Sequence, residues 1–212
     1  GEDLNATLDR VIRQPMGMKY FTFGQTGDER ARDVSTGVPM KLVDLFLTYA
    51  VGGSIDEVVE VTNDDRFQDI IVPAGNLYAT AEEASRFFQM LLNDGYYEGQ
   101  QIFKPETVAR ALQPAYHRPR FDRSLFLPLN FSSGFMLGNR GMGMFGPGAP
   151  RAFGHLGFIS IYCWADPQRA LSGALLTTGK GVVGPHLPAL FGLQHTINRH
   201  TRLREGNSPV TA

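Results

Sequence analysis

The sequence predicts an α+β fold, with helices and loops first and an antiparallel sheet and closing helix toward the C-terminus. Three observations carry this. Phe153 to Trp164 is rich in aromatic and β-branched residues and Leu171 to Thr178 is small and apolar, as expected of two strands around the Asp166-Pro167 turn. Thr80 and Glu83 form a capping box ahead of an apolar stripe of Ala84, Phe87, Phe88, Leu91 and Leu92, closed by Asn93-Asp94-Gly95. Nowhere does a βαβ alternation announce a parallel sheet.

In chain order, Leu4, Leu8, Val11 and Ile12 recur at helical spacing, giving a short amphipathic helix that ends before Pro15. Pro15 to Gly24 reads as a tight apolar connection, and residues 25–37 as an exposed loop. A second helix is expected over Met40 to Ala50, terminated by Gly52-Gly53, with Leu42, Leu45, Phe46 and Tyr49 on one stripe. From Ser54 to Asp69 the pattern is weak, with a short helix near Ile55 to Val61. Pro73 to Tyr78 forms a turn into the capped helix, and Pro105 with Glu106 starts another that runs to about Leu112. Gln113 to Arg151 is broken by five prolines and many glycines, with one short strand expected around Gly134 to Gly138. Pro185 and Pro188 lead into a last helix through Leu190, Leu193 and Ile197.

Composition excludes several classes of function. A net charge of -1 over 212 residues gives no electrostatic footprint for nucleic acid or an anionic membrane surface. No apolar run approaches the roughly 18 residues of a membrane helix. A single cysteine, Cys163, allows no internal disulfide framework and reads as a buried strand thiol. Gly1-Glu2-Asp3 lacks the basic and apolar regions of a signal peptide, which leaves the compartment open, since a signal removed or lying upstream fits equally well.

Several motifs match in letters only. Gly141-Met142-Gly143-Met144-Phe145-Gly146 spells a dinucleotide fingerprint, but Pro147 and Pro150 follow where a helix must start. Gly173 to Lys180 resembles a phosphate-binding loop, but the spacing is one residue too long and Gly181 replaces the Ser or Thr. There is no HExxH and no GxSxG, and the five histidines have no ligand-like spacing, so neither a metal nor another cofactor is expected. The remaining unit with chemistry is His155-Leu156-Gly157-Phe158. A His and a Gly two apart share one face of a strand, and the Gly lets a ligand approach the backbone. On these residues alone, a strand edge with an incidental His explains them as well.

Taken together, Met16-Gly17-Met18, Pro73-Ala74-Gly75-Asn76-Leu77-Tyr78-Ala79-Thr80, Asn93-Asp94-Gly95, Gln101 to Thr107, Gly134 to Gly138, Gly154-His155-Leu156-Gly157 and Asp166-Pro167 stand in the order seen in one family. The chain resembles the serine β-lactamase and penicillin-binding-protein-like family, which includes class C β-lactamases, DD-peptidases and related esterases. The resemblance implies helices packed on an antiparallel sheet. It also implies that residues 1–212 form the C-terminal part of one catalytic domain, with 1–72 mainly helix and loop, 73–151 helices and pocket loops, and 152–205 the sheet hairpin and last helix. The family's nucleophile, a Ser three residues before a Lys, and its Tyr-x-Asn are both missing, and in the family both lie upstream of the Pro-Met-Gly-Met position. N-terminal strands and the nucleophile helix are therefore expected to come from elsewhere, either a preceding segment or an oligomer partner, and the chain alone is expected to be inactive.

By the same resemblance His155-Leu156-Gly157 is the family's third motif, Lys-Thr-Gly or His-x-Gly, on the strand lining the pocket. The Phe158 N–H is then the second oxyanion donor; losing such a donor typically costs about 2.7 to 4 kcal/mol of transition-state stabilisation. Asn76 and Tyr78 fall near the substrate by family position, and Phe126, Phe131, Phe135 and Met142 to Phe145 are either an acyl-pocket wall or ordinary core. The implied activity is hydrolysis of a small ester, amide or β-lactam through an acyl-enzyme. Imidazole is largely neutral near pH 7, so His155 in place of Lys shifts the expectation from tight recognition of a β-lactam carboxylate toward an esterase. The alternative is a non-catalytic binding or structural remnant of the same fold.

Overall fold

The N-terminal apolar stripe forms its helix, but in two pitches. A turn over Leu4–Leu8 widens to π-helical geometry over Asp9–Arg13, where the Gln14 N–H reaches the Asp9 carbonyl at 2.9 Å. The Met18 N–H closes the end on the Arg13 carbonyl, and Met16, Met18 and Phe21 are buried, so the apolar connection packs inward. The computed structural model describes residues 1–25, 34–35, 48–49, 52–116, 120–122, 127–141, 143–157, 161–180 and 186–201. These divide into two compact units.

The first unit comprises Gly1–Ala84, Gly157–Ile161 and Leu175–Gly184. Strand β1 (Thr22–Phe23) is held by Asn5, whose side chain donates to the Phe23 carbonyl at 2.7 Å and accepts its N–H at 2.9 Å. β2 (Val34–Ser35) and β3 (Leu77–Tyr78) follow in sequence, and β1 pairs antiparallel with β3. Most of the expected Met40 to Ala50 helix lies outside the described residues. Its end is seen at Gly52, whose φ of +86° and N–H bond to the Thr48 carbonyl turn the chain, while Tyr49 is 90% exposed rather than packed. The weakly patterned stretch holds two helices, Ile55–Asn63 and Asp65–Asp69. Ser54 and Glu57 make a reciprocal capping box at the first, a start signal that stands in the sequence beside only a faint apolar stripe.

The second unit comprises Ser85–Leu156, Tyr162–Ala174 and Pro185–Ala212. The capped helix runs Ala81–Leu92, with Phe88, Met90 and Leu91 buried. A small hairpin of β4 (Tyr96–Tyr97) and β5 (Gln100–Gln101) leads to the Pro105–Ala111 helix. Three strands follow where one was expected: β6 (Arg120–Asp122), β7 (Leu127–Phe131) and β8 (Met136–Leu137). Pro128 argues against a strand in sequence, yet in β7 it sits opposite Phe121 of β6.

The expected long first arm of the hairpin is in fact two strands. β9 (Phe153–Leu156) pairs antiparallel with β10 (Tyr162–Asp166), and β11 (Leu171–Leu175) follows the Asp166 turn. The order across the sheet is β11-β10-β9-β8-β7-β6, with antiparallel pairing from β6 through β10. In the first unit, β12 (Gly179–Lys180) pairs parallel with β2. The last helix, His186–His200, buries Leu190, Gln194 and Asn198, whereas Leu193 is 47% exposed. The buried face is thus partly polar, which is why an apolar stripe misplaces it.

Candidate active site

In β9, Gly154 is the residue that brings two backbones together. A Cβ there would lie 2.1 Å from the Cys163 carbonyl oxygen, so only glycine permits this approach to β10. The register sets Cys163 opposite His155, Trp164 opposite Gly154 and Ala165 opposite Phe153. Directly opposed residues share a face of the sheet. On the face of Phe153 and His155, the rings of Phe88, Phe135 and Phe153 cluster with centroids 5.9 to 6.3 Å apart. On the other face Tyr162 stacks on Trp164 at 5.0 Å and on Phe145 at 5.8 Å, and its hydroxyl donates to the Met144 carbonyl at 3.1 Å.

This arrangement separates the residues offered either as an acyl-pocket wall or as ordinary core. Phe135 stands on the His155 face. Phe145 and Met144, each 1% exposed, are core anchors; Phe145 stacks on the opposite face of the sheet. Phe126 and Met142 lie outside the described residues.

β9 is not an edge strand along its whole length. β8 pairs with it at Phe153 and Gly154 and reaches no further. His155 is the first residue past that pairing and is exposed, between buried Gly154 and buried Leu156. Its Nδ1 makes a 2.9 Å hydrogen bond with the Leu156 carbonyl. Opposite it, burial pushes the Cys163 thiol up to about 11, so the facing group is a neutral thiol. Burial likewise pushes the Tyr162 hydroxyl far above its ordinary value.

Gly157 closes the return from β9 to β10, its N–H donating to the Ile161 carbonyl at 2.6 Å. A Cβ there would stand 3.3 Å from the Ile161 side chain, tight enough that Ile161 would have to give. Phe158 lies outside the described residues.

Asn76 and Tyr78 belong to the first unit, on the turn and strand before the capped helix. Asn76 is 2% exposed. Its amide donates to the Phe67 and Ile70 carbonyls at 3.0 and 2.7 Å and accepts the Val72 N–H at 2.8 Å. That set of bonds fixes the turn from which Tyr78, half-buried and paired with Thr22, extends. Glu83, 6% exposed, accepts the N–H groups of Lys19, Tyr20 and Thr80, tying the helix start to the Met16-Gly17-Met18 connection. Sequence reasoning saw Glu83 as a cap but not as this junction, because its long-range partners are backbone groups that carry no sequence signal.

The Asp166 turn is buried more deeply. Asp166 accepts the Gln168 N–H at 2.9 Å and pairs with Arg169 at 2.6 Å, with side chains 2% and 6% exposed. Arg169 also donates to the Gly148 carbonyl, and Asn198 to that of Phe145, so the loop before β9 is pinned to the turn and the last helix. Among the described residues no cluster of His, Cys, Asp or Glu can hold a metal ion, and no helix is long and apolar enough to cross a membrane.

A helical start and a capped helix packed on an antiparallel sheet give the fold shared with solved β-lactamase-like and penicillin-binding-protein-like structures. The chain belongs to the beta-lactamase family, whose model matches residues 1–190. It is 31% identical over 166 residues to the esterase/beta-lactamase LipL of Mycobacterium tuberculosis, a match covering 73% of this chain and 35% of that protein. Its fold is similar to that of a penicillin-binding protein homolog from Caulobacter crescentus, with TM-score 0.66 and 21% identity over 93% of this chain and 53% of that one. It is equally similar to that of a family VIII carboxylesterase, with TM-score 0.68 and 19% identity over 92% of this chain and 52% of that one. The chain thus spans about half the length of these solved structures and a third of the curated relative.

Proposed function

We propose that this chain forms the His-x-Gly side of a serine hydrolase that cleaves a small ester or amide through an acyl-enzyme. The observation that carries the reading is His155, an exposed imidazole just past the β8 pairing on a strand whose neighbours are otherwise buried. In this reading His155 contacts substrate and Gly157 keeps the strand end open. The N–H of Phe158 donates to the oxyanion. Tyr78 and Asn76 enter the proposal by family position, with Asn76 holding the turn from which Tyr78 extends.

The nucleophile in this proposal comes from outside these 212 residues, since no Ser stands three residues before a Lys. Among the described residues the uncharged β11, Leu171 to Leu175, ends the sheet order and is the edge to which a further strand of the assembled hydrolase, or of an oligomer partner, would add. The absence of the nucleophile motif also favours a second reading, a binding or structural remnant of the fold.

The test offers a chromogenic ester, a chromogenic cephalosporin and a fluorophosphonate probe to residues 1–212 alone and to the same chain with its upstream coding sequence. The hydrolase reading expects labelling of a serine upstream of Gly1 and turnover only by the longer polypeptide, with the ester preferred. Turnover by residues 1–212 alone would refute the placement of the nucleophile. No labelling in either polypeptide would favour the remnant. A monomer of residues 1–212 that unfolds cooperatively would count against the strand-addition edge.

A further inference from the structure

The hydrogen bond between His155 Nδ1 and the Leu156 carbonyl decides which ring nitrogen carries the proton. A carbonyl oxygen can only accept, so in the neutral ring Nδ1 is the donor and Nε2 is left with its lone pair. The ring is exposed, so that lone pair is available to a ligand. We propose, resting on the hydrolase reading, that neutral His155 is a hydrogen-bond acceptor that selects substrates presenting an N–H or O–H donor beside the scissile group and disfavours a carboxylate there. Protonating the ring turns Nε2 into a donor and reverses the preference.

The surroundings allow this reversal to be read as a property of the ring. From β10 the facing group is Cys163, a thiol held neutral by burial, and from β8 the paired residues are Met136 and Leu137. On the Ala81–Leu92 helix, which meets this face through Phe88, the ionisable side chains are Glu82, Glu83 and Arg86, and each has partners of its own.

Two matched ligands separate the alternatives: methyl succinamate, whose carboxamide donates, and monomethyl succinate, whose carboxylate of the same size does not. Each is titrated into the full chain labelled with 15N-histidine, on the alkaline side where the spectrum shows a singly protonated ring and on the acid side where it shows a doubly protonated one. The expected result is an Nδ1–H tautomer, with methyl succinamate favoured about fivefold on the alkaline side and the order reversed on the acid side. His155→Gln, which offers donor and acceptor at every pH, should remove the reversal. An Nε2–H tautomer, or monomethyl succinate binding equally well on the alkaline side, would overturn the inference while leaving the hydrolase reading intact. Binding of neither ligand would overturn the selectivity, and labelling by the fluorophosphonate probe in the longer polypeptide would then still decide the hydrolase reading by itself.

Discussion

Two polar groups of the same meander have opposite fates. Asp166, at the turn between β10 and β11, is 2% exposed and meets a guanidinium and a backbone N–H. His155, in β9, is exposed and has one bond to a neighbouring carbonyl. A buried charge must be satisfied by its own fold, so Asp166 is spent on structure. An exposed ring with a free lone pair has capacity left for a ligand. Asn76 belongs with Asp166 by this criterion, although the family resemblance set it beside His155 as a site residue.

The sharpest way to break the contrast is Arg169→Leu. It leaves the Asp166 carboxylate buried without its cation and should destabilise the fold by about 3–5 kcal/mol, read as a lower denaturation midpoint. A loss under about 1 kcal/mol would show that the turn is not held by the pair. Asn76→Ala comes next. It strips partners from the Val72 N–H and the Phe67 and Ile70 carbonyls, and about 2–4 kcal/mol should be lost in the same measurement.

Cys163 gives a smaller, pH-dependent effect. Its thiol ionises near 9.0 in the unfolded chain and about 11 when folded, so the folded state retains the proton longer. Stability from this group is intact below about pH 9 and is lost as pH rises toward 11, by up to about 2–3 kcal/mol. Cys163→Ala should flatten that part of the alkaline limb, leaving the part due to Tyr162; an unchanged slope would count against burial as the cause. The smallest stability effect should come from His155→Ala, within about 0.5 kcal/mol as for an exposed side chain with few contacts. If His155→Ala instead unfolds the chain, His155 belongs with Asp166 and the contrast fails.

How much of this was legible beforehand depends on the range of the interactions. The capped helix was read nearly residue for residue, because Thr80, Glu83 and the stripe through Leu91 act within a few turns. The Asp166-Pro167 turn was legible for the same local reason. β8 falls inside the expected Gly134 to Gly138 strand, but β6 and β7 were not legible: Pro119 stands just before β6 and Pro128 lies within β7, and the run from Phe153 to Trp164 concealed a reversal at Gly157. In the last helix, Gln194 and Asn198 are buried against intuition because Asn198 bonds the Phe145 carbonyl.

The order of short motifs, by itself, determined the family and the α+β class, since each motif encodes a local turn, cap or strand end whose sequence is its own cause. The tertiary structure alone decided that Asn76 is a fastening, that Phe145 and Phe135 take opposite faces of the sheet, and that His155 stands just beyond the reach of β8 with Nδ1 committed. Those facts depend on strand register, on ring packing and on bonds to backbone carbonyls and N–H groups. Nearly every residue carries such backbone groups, so side-chain identity alone does not announce which of them will be met.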